Sequence, residues 1–308
     1  MKFYQLTISY FLLSILLLSC GLTQTDIKSD QATHSAQKKT QAILLTQAEP
    51  YNNADKNVIT GDYIARQKIT VPPDLAPQNK WIMFEGPVLE NDFVAYRYYA
   101  DSRHRFDIYG KRVSDLVMDT VGWDYHNIMD WGSDILKVGN ALGIGSPAIY
   151  YKDSLYTLSQ SLEKTIEVFI DDNNKSGIRT IFTGLSINDH TFDLIQDWTI
   201  EAGNAWSDIH LRVTNGSLPK GMQFATGFIK HLPTVVEKDG EDEFVLMNWG
   251  KQSFHDENLG MAIAASKSYK PEQLKNELNY AMVFKNAPKE VKYQLISVWE
   301  RDPNNIND

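Results

Sequence analysis

The densest chemistry in the chain lies in YHNIMDWGSDILKVGNALGIGSPAIYY, residues 125–151. Tyr125 and His126 are adjacent, and an imidazole titrating near neutral pH beside a phenol is a competent pair for moving protons. Asp130 and Asp134 follow His126 at four-residue steps. On a helix the three would share a face and offer imidazole and carboxylate ligands to a metal. Gly132 interrupts that spacing and no fourth ligand follows locally, so acid–base work is the better reading and no metal is expected. The plain alternative for His126 is a loop histidine bonded to backbone. Gly139, Gly143 and Gly145 match neither a dinucleotide fingerprint nor a Walker loop. They read as tight turns where a loop re-enters a strand.

Upstream lies AYRYYADSRHRFDIYGKR, residues 95–112, a basic segment in an acidic protein. It holds Arg97, Arg103, Arg105, Lys111, Arg112 and His104 against Asp101 and Asp107. Guanidinium forks suit carboxylate or sulfate oxygens. Arg103 and Arg105 have equal parity and share a face in a strand; Arg97 does too unless the Ala100-Asp101-Ser102 turn breaks the phase. Tyr96, Tyr98, Tyr99 and Tyr109 offer a wall for stacking sugars, or are core filler. The bland reading of the cations is pairing with neighbouring Asp or exposure to solvent.

The elements that must position these groups are strands. The stretches 93–99, 165–170, 178–187, 191–200, 207–213, 223–229, 243–249, 259–265 and 293–300 alternate and are rich in β-branched and aromatic residues. Turn residues separate them: Asn173 to Gly177, Asn188-Asp189, Asn215-Gly216 and Lys238-Asp239-Gly240. Helical periodicity is scarce, and Pro271 to Leu278 reads as a short helix or a loop. Many evenly spaced strands in one chain imply an all-β fold, a large antiparallel β-sandwich.

The net charge of −9 argues against nucleic acid as the main partner but leaves room for an anionic ligand at a local basic patch. Residues 1–20 read as an export signal, with Lys2 followed by an apolar run too short to span a membrane. Leu17-Leu18-Ser19-Cys20 resembles the lipobox of bacterial lipoproteins, which makes Cys20, the single cysteine, the lipidated residue. The expected location is an outer-membrane lipoprotein facing the periplasm, held to the membrane by its lipid. The polar stretch 21–60 reads as a flexible tether, and 61–308 as one β domain.

The motifs ENDFVAYRYYADSRHRFDIYGKR, DYHNIMDWGSDILKVGNALGIGSPAIYY, DWTIEAGNAWSDIHLRV and GMQFATGFIKH together resemble a domain family of long-unassigned function. Its members are exported proteins of polysaccharide-utilisation loci in gram-negative bacteria. The resemblance covers most of 78–301. It implies a β-supersandwich similar to galactose mutarotase and some polysaccharide lyases, and activity in this neighbourhood includes an oligosaccharide dehydratase of ulvan breakdown.

Such a dehydratase removes the C5 proton and the 4-hydroxyl of a terminal uronic acid, leaving a 4,5-unsaturated uronate. The carboxylate must be neutralised by Arg or Lys, and a base and an acid must reach the ring. On this reading Tyr125, His126 and His231 are catalytic, while Arg97, Arg103, Arg105, Lys137 and Asp134 bind substrate. The substrate is an anionic oligosaccharide carrying uronate and sulfated rhamnose, and the chemistry needs no cofactor. A sugar epimerase or mutarotase, and a non-catalytic carbohydrate-binding lipoprotein, are the alternatives. His190 and His210 read as core or surface residues, and His255 carries no assignment.

Overall fold

A computed structural model of the protein describes residues 37–304. The expected signal, Cys20 and the first part of the expected tether lie outside the described residues. The described chain is an all-β, antiparallel assembly in which three large sheets carry nearly every strand.

The strands read from the sequence are present; several run longer than expected, as Lys175–Ile187 does, while 93–99 pairs only over Val94–Tyr98 and 223–229 keeps its bounds. Glu163–Asp171, Lys175–Ile187, His190–Glu201 and Trp206–Val213 form a meander in a nine-stranded sheet. Glu243–Lys251, Asn258–Ser266 and Glu290–Trp299 complete most of the rest of that sheet. Alternation along these strands puts one row of side chains inside: Ile178, Phe182, Leu194, Trp198, Ile209 and Leu211 are fully buried.

Two five-stranded sheets complete the large layers. One has the order Thr40–Ile43, Val88–Asn91, Val94–Tyr98, Phe106–Lys111, Gly132–Asp134. The other has the order Ser154–Thr157, Ala148–Tyr151, Gln223–Ile229, Asn279–Phe284, Pro271–Leu274. They join through residues 143 and 144, where Gly143 bridges Phe106 and Ile144 bridges Phe228. Gly143 takes φ +65°, and a Cβ there would sit 1.8 Å from the Phe106 carbonyl oxygen, so only glycine fits.

Even-numbered residues of Val94–Tyr98 and Phe106–Lys111 point into the main core. Tyr98 and Phe106 pack on Trp198 with centroids 5.7 and 5.0 Å away. The Tyr98 hydroxyl meets Thr180 Oγ1 at 2.6 Å, and Ser297 Oγ donates to the Tyr96 hydroxyl at 2.9 Å. Tyr96 and Tyr98 are therefore core residues with satisfied hydroxyls, not a sugar-stacking wall.

Two expectations change. The chain is folded well before residue 61: Thr40–Ile43 pairs with Val88–Asn91, and Leu45–Gln47 pairs with Tyr63–Ala65. The apolar run Ala42-Ile43-Leu44-Leu45 supplies the burial that the polar average of 21–60 conceals. Pro271–Leu274 is neither helix nor loop but an edge strand paired to Asn279–Phe284, where a proline's missing N–H costs no ladder bond.

Candidate functional site

Odd-numbered residues of Val94–Tyr98 and Phe106–Lys111 face away from the main core, together with their cross-strand partners Val88, Glu90 and Asp134. Register places Arg97 directly opposite Asp107, and Tyr109 opposite Asp134. This outer face is covered by residues 112–131 and by the turn at Met83–Glu85, whose Phe84 packs on Tyr109 and Tyr125. A buried ion pair, Lys111 Nζ to Glu90 Oε1 at 2.8 Å, sits under this cover. Glu90 also accepts from the Val117 and Met118 backbone N–H groups at 2.9 and 3.0 Å. The cover is pinned again at its far end, where Asp134 N donates to Tyr125 O at 2.8 Å.

Arg97 is the hub. Its Nε and Nη2 donate to Asp107 Oδ2 at 3.1 and 2.8 Å, and Nη2 donates to Asp134 Oδ2 at 2.7 Å. Its Nη1 donates to Phe84 O at 3.1 Å and to the Tyr125 hydroxyl at 3.0 Å. The five N–H groups of a guanidinium are thus accounted for by protein acceptors. The rings of Tyr99, Tyr109 and Tyr125 stand 4.9, 5.1 and 5.0 Å from its centre, an aromatic cage around a buried cation. The sequence places Arg97 on substrate; the structure buries it and gives its donors to protein acceptors, so none remains for a ligand.

Asp134 shares this guanidinium with Asp107. Burial, and then the charge of Asp107, hold its carboxyl well above the usual range. Its Oδ2 lies 3.4 Å from Nδ1 of His126, whose side chain is 59% exposed. Burial of the inner edge and the charge of Arg97 lower the His126 pKa below 6.5, so the imidazole is neutral at neutral pH. Asp134 is therefore buried behind His126 and does not reach out to a ligand. Tyr125 is 2% exposed, and burial raises its pKa, so it is a neutral phenol aimed inward at Arg97.

Arg103 and Arg105 form the rim. Arg103 stacks on Tyr99 at 3.8 Å, and the Tyr99 hydroxyl donates to Asp107 Oδ2 at 2.7 Å, which joins the rim to the hub. Nε and Nη2 of Arg103 bind Asp101 and Glu85, leaving Nη1 without a protein acceptor among the described residues. Glu85 was not foreseen. It follows Phe84 in a turn where both residues have φ near +60°, a conformation disfavoured for side chains with a Cβ. Arg105 gives Nη1 to Gly139 O at 2.6 Å. Burial, and then the like charge of Arg103, push its pKa down.

Lys137 and His231 meet on the segment that follows Asp134. His231 Nε2 meets Lys137 O at 2.9 Å, and both side chains are exposed. Three residues of extended chain separate Lys137 from Asp134, about 10 Å. Asp130 is exposed, unlike the buried Asp134. His255, unassigned from the sequence, meets Ser133 Oγ at 2.8 Å, and its neighbour Phe254 lies 6.2 Å from the His126 ring. The groups brought together are thus His126, Asp134, Arg97, Tyr125 and the two rim arginines.

The fold and this polar outer face define an antiparallel β-sandwich protein with a histidine–carboxylate–arginine centre. The chain belongs to the domain family of unknown function DUF4861, whose model matches residues 20–308. No curated protein matches the sequence. Among solved structures it is similar to a candidate kojibiose phosphorylase from the human microbiome, at 10% identity and TM-score 0.37 over 71% of this chain. It is also similar to a 4-alpha-glucanotransferase from Thermococcus litoralis, at 8% identity and TM-score 0.34 over 69% of this chain. The chain spans 30% and 37% of those two proteins. A candidate aldose 1-epimerase from Klebsiella pneumoniae matches at 10% identity and TM-score 0.37, covering 85% of this chain and 92% of that one.

Proposed function

We propose that the protein is a carbohydrate-active dehydratase that removes water from a uronate at the non-reducing end of an oligosaccharide, such as those released from ulvan. The observation that carries this reading is the exposed, neutral His126 held against buried Asp134, beside a rim of two arginines with unused donors. Arg103 and Arg105 take the substrate carboxylate and make the C5 hydrogen acidic. The outer nitrogen of His126 takes that proton. The C5–H electron pair forms the C4=C5 double bond, and the C4–O bond breaks.

The leaving hydroxide needs one proton to depart as water, and the imidazolium just formed supplies it. Atoms and charge balance with His126 acting first as base and then as acid. In glucuronate the C5 hydrogen and the 4-oxygen lie on the same ring face, so one residue serves both. In iduronate they lie on opposite faces. The reading therefore selects glucuronate, with Tyr125 and Arg97 positioning His126 through Asp134 rather than touching the sugar.

Incubation of the mature protein with glucuronate-terminated oligosaccharides should produce the ultraviolet band of an unsaturated uronate and a mass loss of one water. An unchanged spectrum while a control dehydratase works overturns the proposal. Isomerisation without mass loss would replace it by an epimerase. The proposal includes export and lipidation at Cys20; Cys20→Ser should move the protein from the membrane to the soluble fraction of cells.

A further inference from the structure

We propose that a groove between two sheet edges is a second, non-catalytic binding site for an acidic oligosaccharide; this rests on the carbohydrate reading above. The groove holds about 720 Å³, a volume suited to a small ligand. The strand Val236–Asp239, at the edge of the nine-stranded sheet, contributes Glu237 and Asp239. The strand Pro271–Leu274, at the edge of the second small sheet, forms another wall.

Four ammonium groups line it. Lys267 is taken by Asp239 at 2.7 Å. Lys230, Lys270 and Lys275 have no carboxylate partner among the described residues. Three carboxylates line the groove too, Glu237, Asp239 and Glu272, with Glu272 facing Lys285 Nζ at 3.6 Å, so the lining keeps a small cationic excess in a chain of net charge −9. Lys270 holds φ +49° and ψ +59°, a left-handed conformation that glycine or asparagine adopts more cheaply. Its backbone is fixed there by Lys270 N to Lys267 O at 2.9 Å and Lys285 N to Lys270 O at 3.2 Å. A lysine kept at a disfavoured position on the wall of a cavity is a reason to look for a ligand.

The lining selects the ligand class. Ammonium groups take carboxylate or sulfate, while Glu237 and Gln273 accept from hydroxyls. Lys230 Nζ lies 5.4 Å from the Tyr280 ring, which offers a flat surface beside the charge. A simple inorganic anion would use the ammonium groups alone. Lys230 also precedes His231, whose Nε2 meets Lys137 O at 2.9 Å. The groove therefore begins one residue from the segment that leads to Asp134, and a chain held here stays near the proposed site.

The test is calorimetry on the full mature protein in a His126→Ala background, where turnover is cut by about 10²–10⁴-fold and the probe outlasts the titration. The probes are a sulfated uronate hexasaccharide and its desulfated, carboxyl-reduced counterpart. The acidic probe should bind, and the neutral one at least about tenfold more weakly, a gap of about 1.4 kcal/mol. Lys230→Glu with Lys275→Glu should weaken the acidic probe by about tenfold or more and flatten its salt dependence. With His126 intact, the same pair of changes should leave turnover of a uronate disaccharide unchanged. If the pair impairs folding, Lys270→Gly relieves the backbone while removing one ammonium, and should weaken binding without lowering Tm. Undiminished binding in a folded lysine variant, equal binding of the neutral probe, or no binding of the acidic probe overturns the proposal. Binding with no turnover in the intact protein would overturn the dehydratase reading and leave the groove standing.

Discussion

His126 Nδ1 and Asp134 Oδ2 stand 3.4 Å apart, one side chain 59% exposed and the other 5%. The pair spans the boundary between water and the buried network around Arg97. A base in such a place can meet substrate while its orientation is held from inside.

His126→Ala should cut turnover by about 10²–10⁴-fold, the usual loss when a positioned acid–base group is removed. Because burial and Arg97 lower the His126 pKa, the neutral base persists below pH 6.5. The acid limb of kcat/KM should therefore lie below 6.5, and steady-state rates from pH 4.5 to 8 locate it. An acid limb above 6.5, or a Tm that falls in step with activity in His126→Ala, would make His126 structural.

Arg105→Ala should weaken transition-state binding by about 2–5 kcal/mol on a uronate substrate, the cost of truncating a desolvated charged partner. The loss should be far smaller on a substrate whose carboxylate has been reduced to an alcohol. Kinetics on both substrates close a cycle. Equal losses would show that Arg105 serves only the Gly139 carbonyl.

Arg97→Met should destabilise the fold by about 3–5 kcal/mol, because two buried carboxylates lose their shared cation. The sign with pH follows from Asp134. Its folded pKa is raised, so its stabilising share is present below the unfolded value and is lost as pH rises through the folded value. Without Arg97 that pKa rises further, so urea denaturation should show the largest penalty at neutral pH and a smaller one near pH 4. A penalty independent of pH would contradict the network.

Lys164 is buried, with Nζ donating to Ala100 O and Asp101 O at 2.9 and 3.2 Å beneath the turn that carries Arg103. Its surroundings are Asp101, His104 and the rings of Tyr98 and Phe182. Burial lowers its pKa to about 7. A lysine lowered in the fold contributes stability that is present above its unfolded pKa and is lost as pH falls through about 7. From pH 7 to 9 the unfolding free energy should climb by up to about 1.4 kcal/mol per pH unit from this group. Lys164→Met should flatten the climb, as read by urea titrations at three pH values. An unchanged slope would place the titration elsewhere.

What the sequence determined by itself is local. Alternation and turn residues are written in consecutive positions, so strands such as Lys175–Ile187 and Glu290–Trp299 were legible, and so was the clustering of Arg, His and Asp on either side of residue 112. The strand Asn279–Phe284 was not, because NYAMVF is buried on both faces and shows no alternation. Nor was Thr40–Ile43, whose short apolar run is stable only once Val88–Asn91 lies beside it.

Only the tertiary structure decided which charges meet. Arg97 and Asp107 were both visible in the sequence, but their pairing depends on hairpin register, and a one-residue slip would put them on opposite faces. Asp134 reaches Arg97 from 37 residues away, and Glu85 reaches Arg103 through a left-handed turn that no propensity announces. The same guanidinium is a substrate clamp if it faces water and a structural hub if it faces two carboxylates. The difference is set by burial, which belongs to the assembled sheets and not to any stretch of the chain.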